Sequence, residues 1–491
     1  MATSLENPIR LQHYRVLPPD MYEEVNPTPA SQPQLLELNR GLLAEFGHDA
    51  AWYESEEALG VLSGNAVSAA NAPIAMAYAG HQFGHWVPQL GDGRAHMLGQ
   101  LLSADGVAWD VQLKGSGRTR FSRGGDGRAT LGSVVREYVV SEAMAGLGIA
   151  TSRSLAIVAT GEPVMREAPE PGAILVRTAA SHIRVGSFQY AAAHLGRPAL
   201  QALADHVIER NYQELLEADS RYEALLAAVI ARQARLVAQW MLVGFIHGVM
   251  NTDNMSVAGE TIDFGPCAFI DEFKTNKVFS SIDRHGRYAW DQQAGVANWN
   301  LTQLAATLLP LLDEDEDSAV AIARAQLEQF TPQFNGWFMA GMRTKLGLSE
   351  ATGDEAFEQF VRDTLQMLDE QSADFTLFFD SLTQIRHGQN EDALLAQLAN
   401  RTAGERWLES WQSISRGNEE APEIMRLANP AVIARNHRVE QVIEAANAGD
   451  LEPMRRLCKA LATPYTLADE NADLAIAPQP NERVTQTFCG T

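Results

Sequence analysis

The hydrophobic period of this chain changes near Arg184, and that change constrains the fold more than any other feature. Before it, Val107 to Lys114 (VAWDVQLK) alternates apolar and polar residues with β-branched and aromatic side chains, the pattern of a strand. His96 to Leu102 reads as its hairpin partner across Ser-Ala-Asp-Gly, and Ser154 to Ala159 and Ala173 to Thr178 read as two further strands. Thr130 suits the cap of a helix from Leu131 to about Leu147, stopped by Gly148. Residues from about 75 to 185 are therefore expected to form an antiparallel sheet with one inserted helix. After Arg184 helical periods dominate. Tyr222 to Gly248 reads as one long apolar helix, Met255 to Val257 and Thr261 to Phe264 as a short hairpin, and the stretch from Trp299 to about Leu461 as helices. The expected class is α+β, a sheet-rich small lobe followed by a larger helical lobe. The expected division is an N-terminal extension packed on the lobes (1–75), the small lobe (76–185), the helical lobe (186–465) and a tail (466–491).

Charge narrows the function. The 491 residues carry 38 Lys and Arg against 62 Asp and Glu, a formal charge of −24, which argues against a nucleic-acid or anionic-membrane binder. The N-terminus shows no apolar leader, and the oiliest stretch, Leu236 to Met250, is interrupted by Gln239 and His247 and is too short to span a bilayer. Three cysteines, Cys267, Cys458 and Cys489, form neither a disulfide framework nor a zinc spacing. A cytoplasmic protein in a reducing compartment is expected. Yet Arg94 to Arg184 holds 11 cations, ten of them Arg, against 8 acids. Guanidinium forks match phosphate oxygens, so this local excess suits a small, highly charged anion as well as it suits solvated loops.

Three signals then follow in one chain order. Lys114 ends a predicted strand, and Glu137 lies on the next helix; between them KGSGRTRFSRGGDGRAT is too rich in glycine to be a regular element. His247-Gly248-Val249-Met250-Asn251-Thr252-Asp253-Asn254 follows an apolar helix, and Asp263-Phe264-Gly265 comes nine residues after Asn254. Phosphoryl-transfer sites of the protein-kinase type use this order: a strand Lys held by a helix Glu, a loop ending in a metal-binding Asn, and an Asp for Mg²⁺. Each piece alone is weak; the ordered set is what points to a nucleotide. Two departures stand out. Val249 occupies the place of the usual catalytic Asp and cannot accept a proton, leaving Asp253 as the nearest carboxylate. Gly91-Asp92-Gly93-Arg94 falls short of a full glycine loop and is placed before the first strand.

The segments GDGRAHMLG, QLKGSGRTRFSRGGDGRATLGSVVREY, VRTAASHIRVGSFQ, HGVMNTDNM and TIDFGPCAF resemble the selenoprotein O family, also called the YdiU family, over nearly the whole chain. These are protein adenylyltransferases with a pseudokinase, protein-kinase-like two-lobed fold. The resemblance implies ATP bound inverted relative to kinases, AMP transferred to Ser, Thr or Tyr hydroxyls of protein substrates, and pyrophosphate released. Relatives are also associated with UMP transfer from UTP using Mn²⁺. It assigns nucleotide contacts to Gly91, Gly93, Arg94, Lys114, Asp126, Gly127, Arg177, Arg184 and Asp263, with Glu137 as the partner of Lys114. Asp253 would be the proton acceptor, and Asn254 and Asp263 would hold Mg²⁺ or Mn²⁺. It further implies a redox-sensitive disulfide between Cys267 and Cys489. Two alternatives stay open: a phosphotransferase acting on a small hydroxylated molecule, and a non-catalytic nucleotide sensor, the latter motivated by Val249.

Overall fold

A computed structural model describes residues 6–10, 13–67, 72–349, 353–485 and 487. Cys489, and with it the expected Cys267–Cys489 pairing, lies outside the described residues. The architecture is α+β. A nine-stranded antiparallel sheet runs β1 (Tyr22–Glu24), β3 (Ile74–Gln82), β5 (Ala95–Leu102), β6 (Ala108–Lys114), β9 (Pro169–Ala179), β8 (Arg153–Met165), β2 (Gln34–Leu38). Strand β4 (His85–Gly91) pairs with β3, and β7 (Ala129–Thr130) with β9. The extension is thus built into the sheet, one of its strands at each end. The predicted strands are present, and the helix Leu131–Gly146 starts where Thr130 Oγ1 accepts the Ser133 amide, satisfying one of the unpaired donors of its first turn.

Both faces of the sheet are covered. Leu42, Leu43, Phe46, Trp52 and Leu62, from short helices between residues 40 and 62, pack on Val111, Leu113, Ile174 and Val176. The other face meets the Leu131–Gly146 helix and, through it, the helical lobe, in one continuous core that includes Val135, Val139, Leu175 and Phe264. Because side chains alternate along a strand, Gln112, Lys114 and Arg177 are turned to this second, interior side.

Three sequence expectations are corrected. The Gly91–Arg94 segment does not precede the sheet; it links β4 to β5, because His85–Gly91 is itself a strand. The long helix spans Arg221–Leu242 only: Gly244 takes a left-handed turn (φ 71°), after which β10 (Phe245–Ile246) pairs with β11 (Ala268–Phe269). The expected hairpin of residues 255–264 is absent, since Ser256 pairs with Arg184 and Thr261 with Thr151. These two bridges hold the loop segments to the end of the small lobe. By length and hydropathy the Arg221–Leu242 helix is long and apolar enough to cross a bilayer, more than the sequence reading allowed, but Leu226, Ile230, Val237 and Trp240 are packed in the core.

Downstream of Asp263 the chain is pinned by Arg435, which is fully buried. Its guanidinium binds the Asp271 carboxylate, lies 2.8 Å from Asp374 and donates to the Ala475 carbonyl at 2.9 Å. Removing one member of a buried charge cluster strands the others without water. Arg435→Ala is expected to lower unfolding free energy by about 3–5 kcal/mol in urea titration; a loss under 1 kcal/mol would show that the cluster is solvated.

Candidate active site

Four segments far apart in sequence meet on the interior side of the sheet. Lys114, at the end of β6, reaches Glu137 on the helix, Nζ to Oε2 at 2.5 Å. Arg177, two residues before the end of β9, donates to the other Glu137 oxygen at 3.0 Å. Asp263 completes the cluster. Its Oδ1 accepts from Lys114 at 3.1 Å and Arg177 at 2.7 Å, and its Oδ2 from Arg184 at 2.6 Å. Asp263 has a left-handed backbone (φ 62°), a conformation that costs an L-residue about 1–2 kcal/mol and is offset here by three charge-assisted hydrogen bonds. Burial alone would raise its pKa, but Arg184, Lys114 and Arg177 together hold it well below the usual carboxylate range. Glu137 is likewise lowered, Lys114 and Arg177 outweighing its burial.

Arg184 joins this cluster to the loop that carries Asp253. Its Nη1 also donates to the Asp253 carbonyl at 2.9 Å, and its guanidinium lies 4.7 Å from the Tyr78 ring centroid. The loop is clamped from two sides. His247 is buried, hydrogen-bonded to the Ile262 carbonyl at 2.9 Å just before Asp263. From the sheet, the His81 amide donates to Thr252 Oγ1 at 2.7 Å and the Phe83 amide to Asn251 Oδ1 at 2.9 Å.

Asp253 itself is buried. Its Oδ2 accepts from Gln82 at 3.3 Å, while Oδ1 has no hydrogen-bond partner among the described residues. Burial pushes its pKa up to about 6, against the lowering pull of Arg184. Gly80 keeps the space beside it clear: a Cβ there would stand 2.7 Å from Asp253 Oδ1. Asn254 donates from Nδ2 to the Val249 carbonyl at 2.9 Å, which leaves its amide oxygen as an acceptor. Among the described residues no three His, Cys, Asp or Glu side chains form a metal cluster. Asn254 and Asp263 are by chemistry hard oxygen donors of the type magnesium accepts, few in number because it completes its shell with phosphates and water.

The remaining predicted contacts fall in the surrounding loops. Gly91 and Gly93 pack against Phe121: a Cβ on Gly91 would enter its ring at 2.3 Å, and one on Gly93 would stand 2.8 Å from its carbonyl oxygen. Their lack of side chains thus has a packing reason. The Arg94 carbonyl accepts the Gly115 amide at 2.7 Å. Asp126 pairs with Arg166 at 2.8 Å and caps the Arg128 amide at 2.9 Å, and Gly127 abuts Gly117; they shape the glycine-rich loop rather than the buried cluster. Sequence reasoning missed Asp92 and Gln112. Asp92 accepts from Gln112 Nε2 at 2.9 Å and lies 3.8 Å from Arg184, while Gln112 Oε1 accepts from Arg177 Nε at 2.8 Å. Together they fix both guanidiniums. The available signal was that Asp110, Gln112 and Lys114 share one strand face.

Buried cations beside a carboxylate with an uncommitted oxygen are what transfer of a phosphorus-bearing group requires. Residues 10–462 match the family described as Protein adenylyltransferase SelO. The chain is 52% identical over 500 residues to the protein nucleotidyltransferase YdiU of Shewanella denitrificans, covering 99% of this chain and 98% of that protein. The proteins of the same name from Bradyrhizobium sp. (strain ORS 278) and Rhodopseudomonas palustris (strain BisB5) are each 51% identical over 484 residues, covering 97% of this chain and 98% of their own. The chain belongs to the SelO protein adenylyltransferase family, and it is a nucleotidyltransferase.

Because native Asp253 holds its proton up to pH about 6 while an unfolded Asp releases it near 4, ionising it in the fold costs stability as pH rises through that window. Asp253→Asn is therefore expected to stabilise the nucleotide-free protein by on the order of 2 kcal/mol at pH 8 and by almost nothing at pH 4. Denaturation at both pH values checks this; a variant less stable at pH 8 would contradict the burial of a charged Asp253.

Proposed function

We propose that this enzyme, with a kinase-like fold, transfers AMP from ATP to Ser, Thr or Tyr hydroxyls of proteins and releases pyrophosphate, with ATP inverted relative to a kinase. One observation carries the reading. Lys114, Arg177 and Arg184 converge 2–13% exposed around Asp263, and Asp253, whose carbonyl Arg184 binds, has an Oδ1 with no partner among the described residues. Cations set this deep suit the terminal phosphates, which supports an orientation with the α-phosphorus toward the loop. Asp253 Oδ1 accepts the proton of the entering hydroxyl. The hydroxyl oxygen bonds to the α-phosphorus as the bond to the β-phosphate oxygen breaks, and the charge gathering on pyrophosphate is met by Lys114, Arg177 and Arg184. Glu137 orients Lys114. Asn254 and Asp263 would hold Mg²⁺ or Mn²⁺, which shields phosphate charge. Around it, Gly91, Gly93, Arg94, Asp126 and Gly127 form the loop wall of the nucleotide site. The cluster addresses phosphates rather than a base, so UTP with Mn²⁺ is carried as a second donor.

The Cys267–Cys489 pairing belongs to the same reading. Cys267 is buried four residues after Asp263, and Thr487 docks next to it, its Oγ1 donating to the Pro266 carbonyl at 2.5 Å.

Incubation with α- or γ-labelled ATP tests the reaction. Label from the α position is expected on protein acceptors and none from the γ position, with Asp253→Ala reducing transfer by about 10²-fold or more; γ label on the acceptor would favour the phosphotransferase. A second expectation concerns binding alone. Asp263 binds the three cations that a triphosphate needs, so carboxylate and phosphates compete. Asp263→Asn is expected to abolish transfer yet bind metal-free ATP about tenfold more tightly by calorimetry. Weaker binding would contradict that competition.

A further inference from the structure

A net charge of −24 would by itself favour a basic partner, but the surface next to Asp253 has the opposite character. Strands β3 and β4 meet in the turn Phe83-Gly84, and this tip is clasped to the Asp253 loop through the Gln82, His81 and Phe83 contacts described above. On its outer side Trp86 is 43% exposed. It lies across the hairpin from His81, ring centroids 5.0 Å apart, and His81 in turn meets Trp299 edge-on at 5.1 Å.

A second turn, Asp283 to Tyr288, faces the tip. It is wrapped round the buried Asp283 carboxylate, which accepts the Arg287 amide at 2.9 Å and the Tyr288 amide at 2.8 Å. Tyr288 packs on Phe83, centroids 5.1 Å apart. Arg287 lies along Gly84, where a Cβ would meet its guanidinium carbon at 3.5 Å, and 4.9 Å from the Trp299 ring centroid. Arg284 on this turn and Ile282 just before it are exposed, Ile282 at 61%. Neither Arg284 nor Arg287 forms an ion pair with a carboxylate among the described residues, whereas Arg128, Arg136, Arg153 and Arg166 all do.

We propose that this rim docks the acceptor polypeptide and selects one with acidic residues flanking its hydroxyl. The inference rests on Asp253 being the proton acceptor of the proposed reaction. Exposed Trp and Ile supply desolvated contact area, and Trp and Arg are the residue types that dominate binding energy in protein interfaces. Two guanidiniums without counter-ions among the described residues offer forks to carboxylates on either side of the hydroxyl, and their short reach keeps the attraction local despite the acidic exterior. The rim is anchored to the Asp253 loop by hydrogen bonds, so docking and proton acceptance are held in fixed register.

The test uses the full-length protein with ATP, Mg²⁺ and peptides of roughly 12 residues centred on Ser, Thr or Tyr, flanked by Asp and Glu, by Ala and Gly, or by Lys. The acidic set is expected to give kcat/KM about tenfold above the Lys set, an advantage that shrinks as salt rises from about 50 to about 300 mM. Trp86→Ala and Arg284→Glu are each expected to raise KM for the acidic peptides about tenfold while ATP affinity by calorimetry changes less than about twofold. Equal or better use of the Lys peptides, unchanged KM in both variants, or variants that only dissociate a dimer of this chain would overturn the inference alone. If AMP reaches neither peptides nor any protein acceptor, the adenylyl-transfer reading falls and takes this inference with it.

Discussion

The Asp263 carboxylate, shared by Lys114, Arg177 and Arg184, is the contact on which the rest of the structure depends. It joins the sheet, through β6 and β9, to the segment that follows the Asp253 loop, and it does so where water is largely excluded. Taking such charges out of water costs several kcal/mol per ion unless each is paired and hydrogen-bonded. Here the pairing is nearly complete: Glu137 takes two of the cations, Asp92 approaches the third, and Gln112 ties Asp92 to Arg177. A network of this kind adds little stability over a packed apolar core of equal volume. What it supplies is a set of donors fixed before a ligand arrives, the condition under which electrostatic stabilisation of a transition state is largest.

Two carboxylates ten residues apart are driven in opposite directions by neighbouring surroundings. Asp263 is held ionised by three cations, while Asp253, the more deeply buried of the two, has the guanidinium of Arg184 directed to its carbonyl and, among the described residues, the Gln82 amide on its carboxylate. Such separation of pKa values is how one site divides ligand-holding from proton-accepting roles. The division is set by the β3–β4 hairpin as much as by the loop itself, since Gly80, His81, Gln82 and Phe83 all bear on residues 251–253.

The alternation of VAWDVQLK and the cap at Thr130 made the small lobe legible, because each depends on local spacing. What alternation alone does not give is the meaning of polarity. In an antiparallel sheet with one wet face, Asp110, Gln112 and Lys114 would point to solvent; here that face is the charged interior, with Gln112 fully buried. The order Lys114, Glu137, Asp253, Asn254, Asp263 was readable, but that Asp92 and Gln112 brace the arginines was not, since both act through partners on other strands. The hairpin expected near Ala258 failed for the same reason: Ser256 and Thr261 take partners from residues 184 and 151. Tertiary pairing overrode a local turn signal.

The central claim is that the cation cluster receives the leaving end of the triphosphate while Asp253 faces the reacting phosphorus. A structure with a non-hydrolysable ATP analogue and Mg²⁺ measures this directly. The γ-phosphorus is expected among Lys114, Arg177 and Arg184 and the α-phosphorus nearest Asp253. A γ-phosphorus nearest Asp253, with the adenine end toward the arginines, would contradict it.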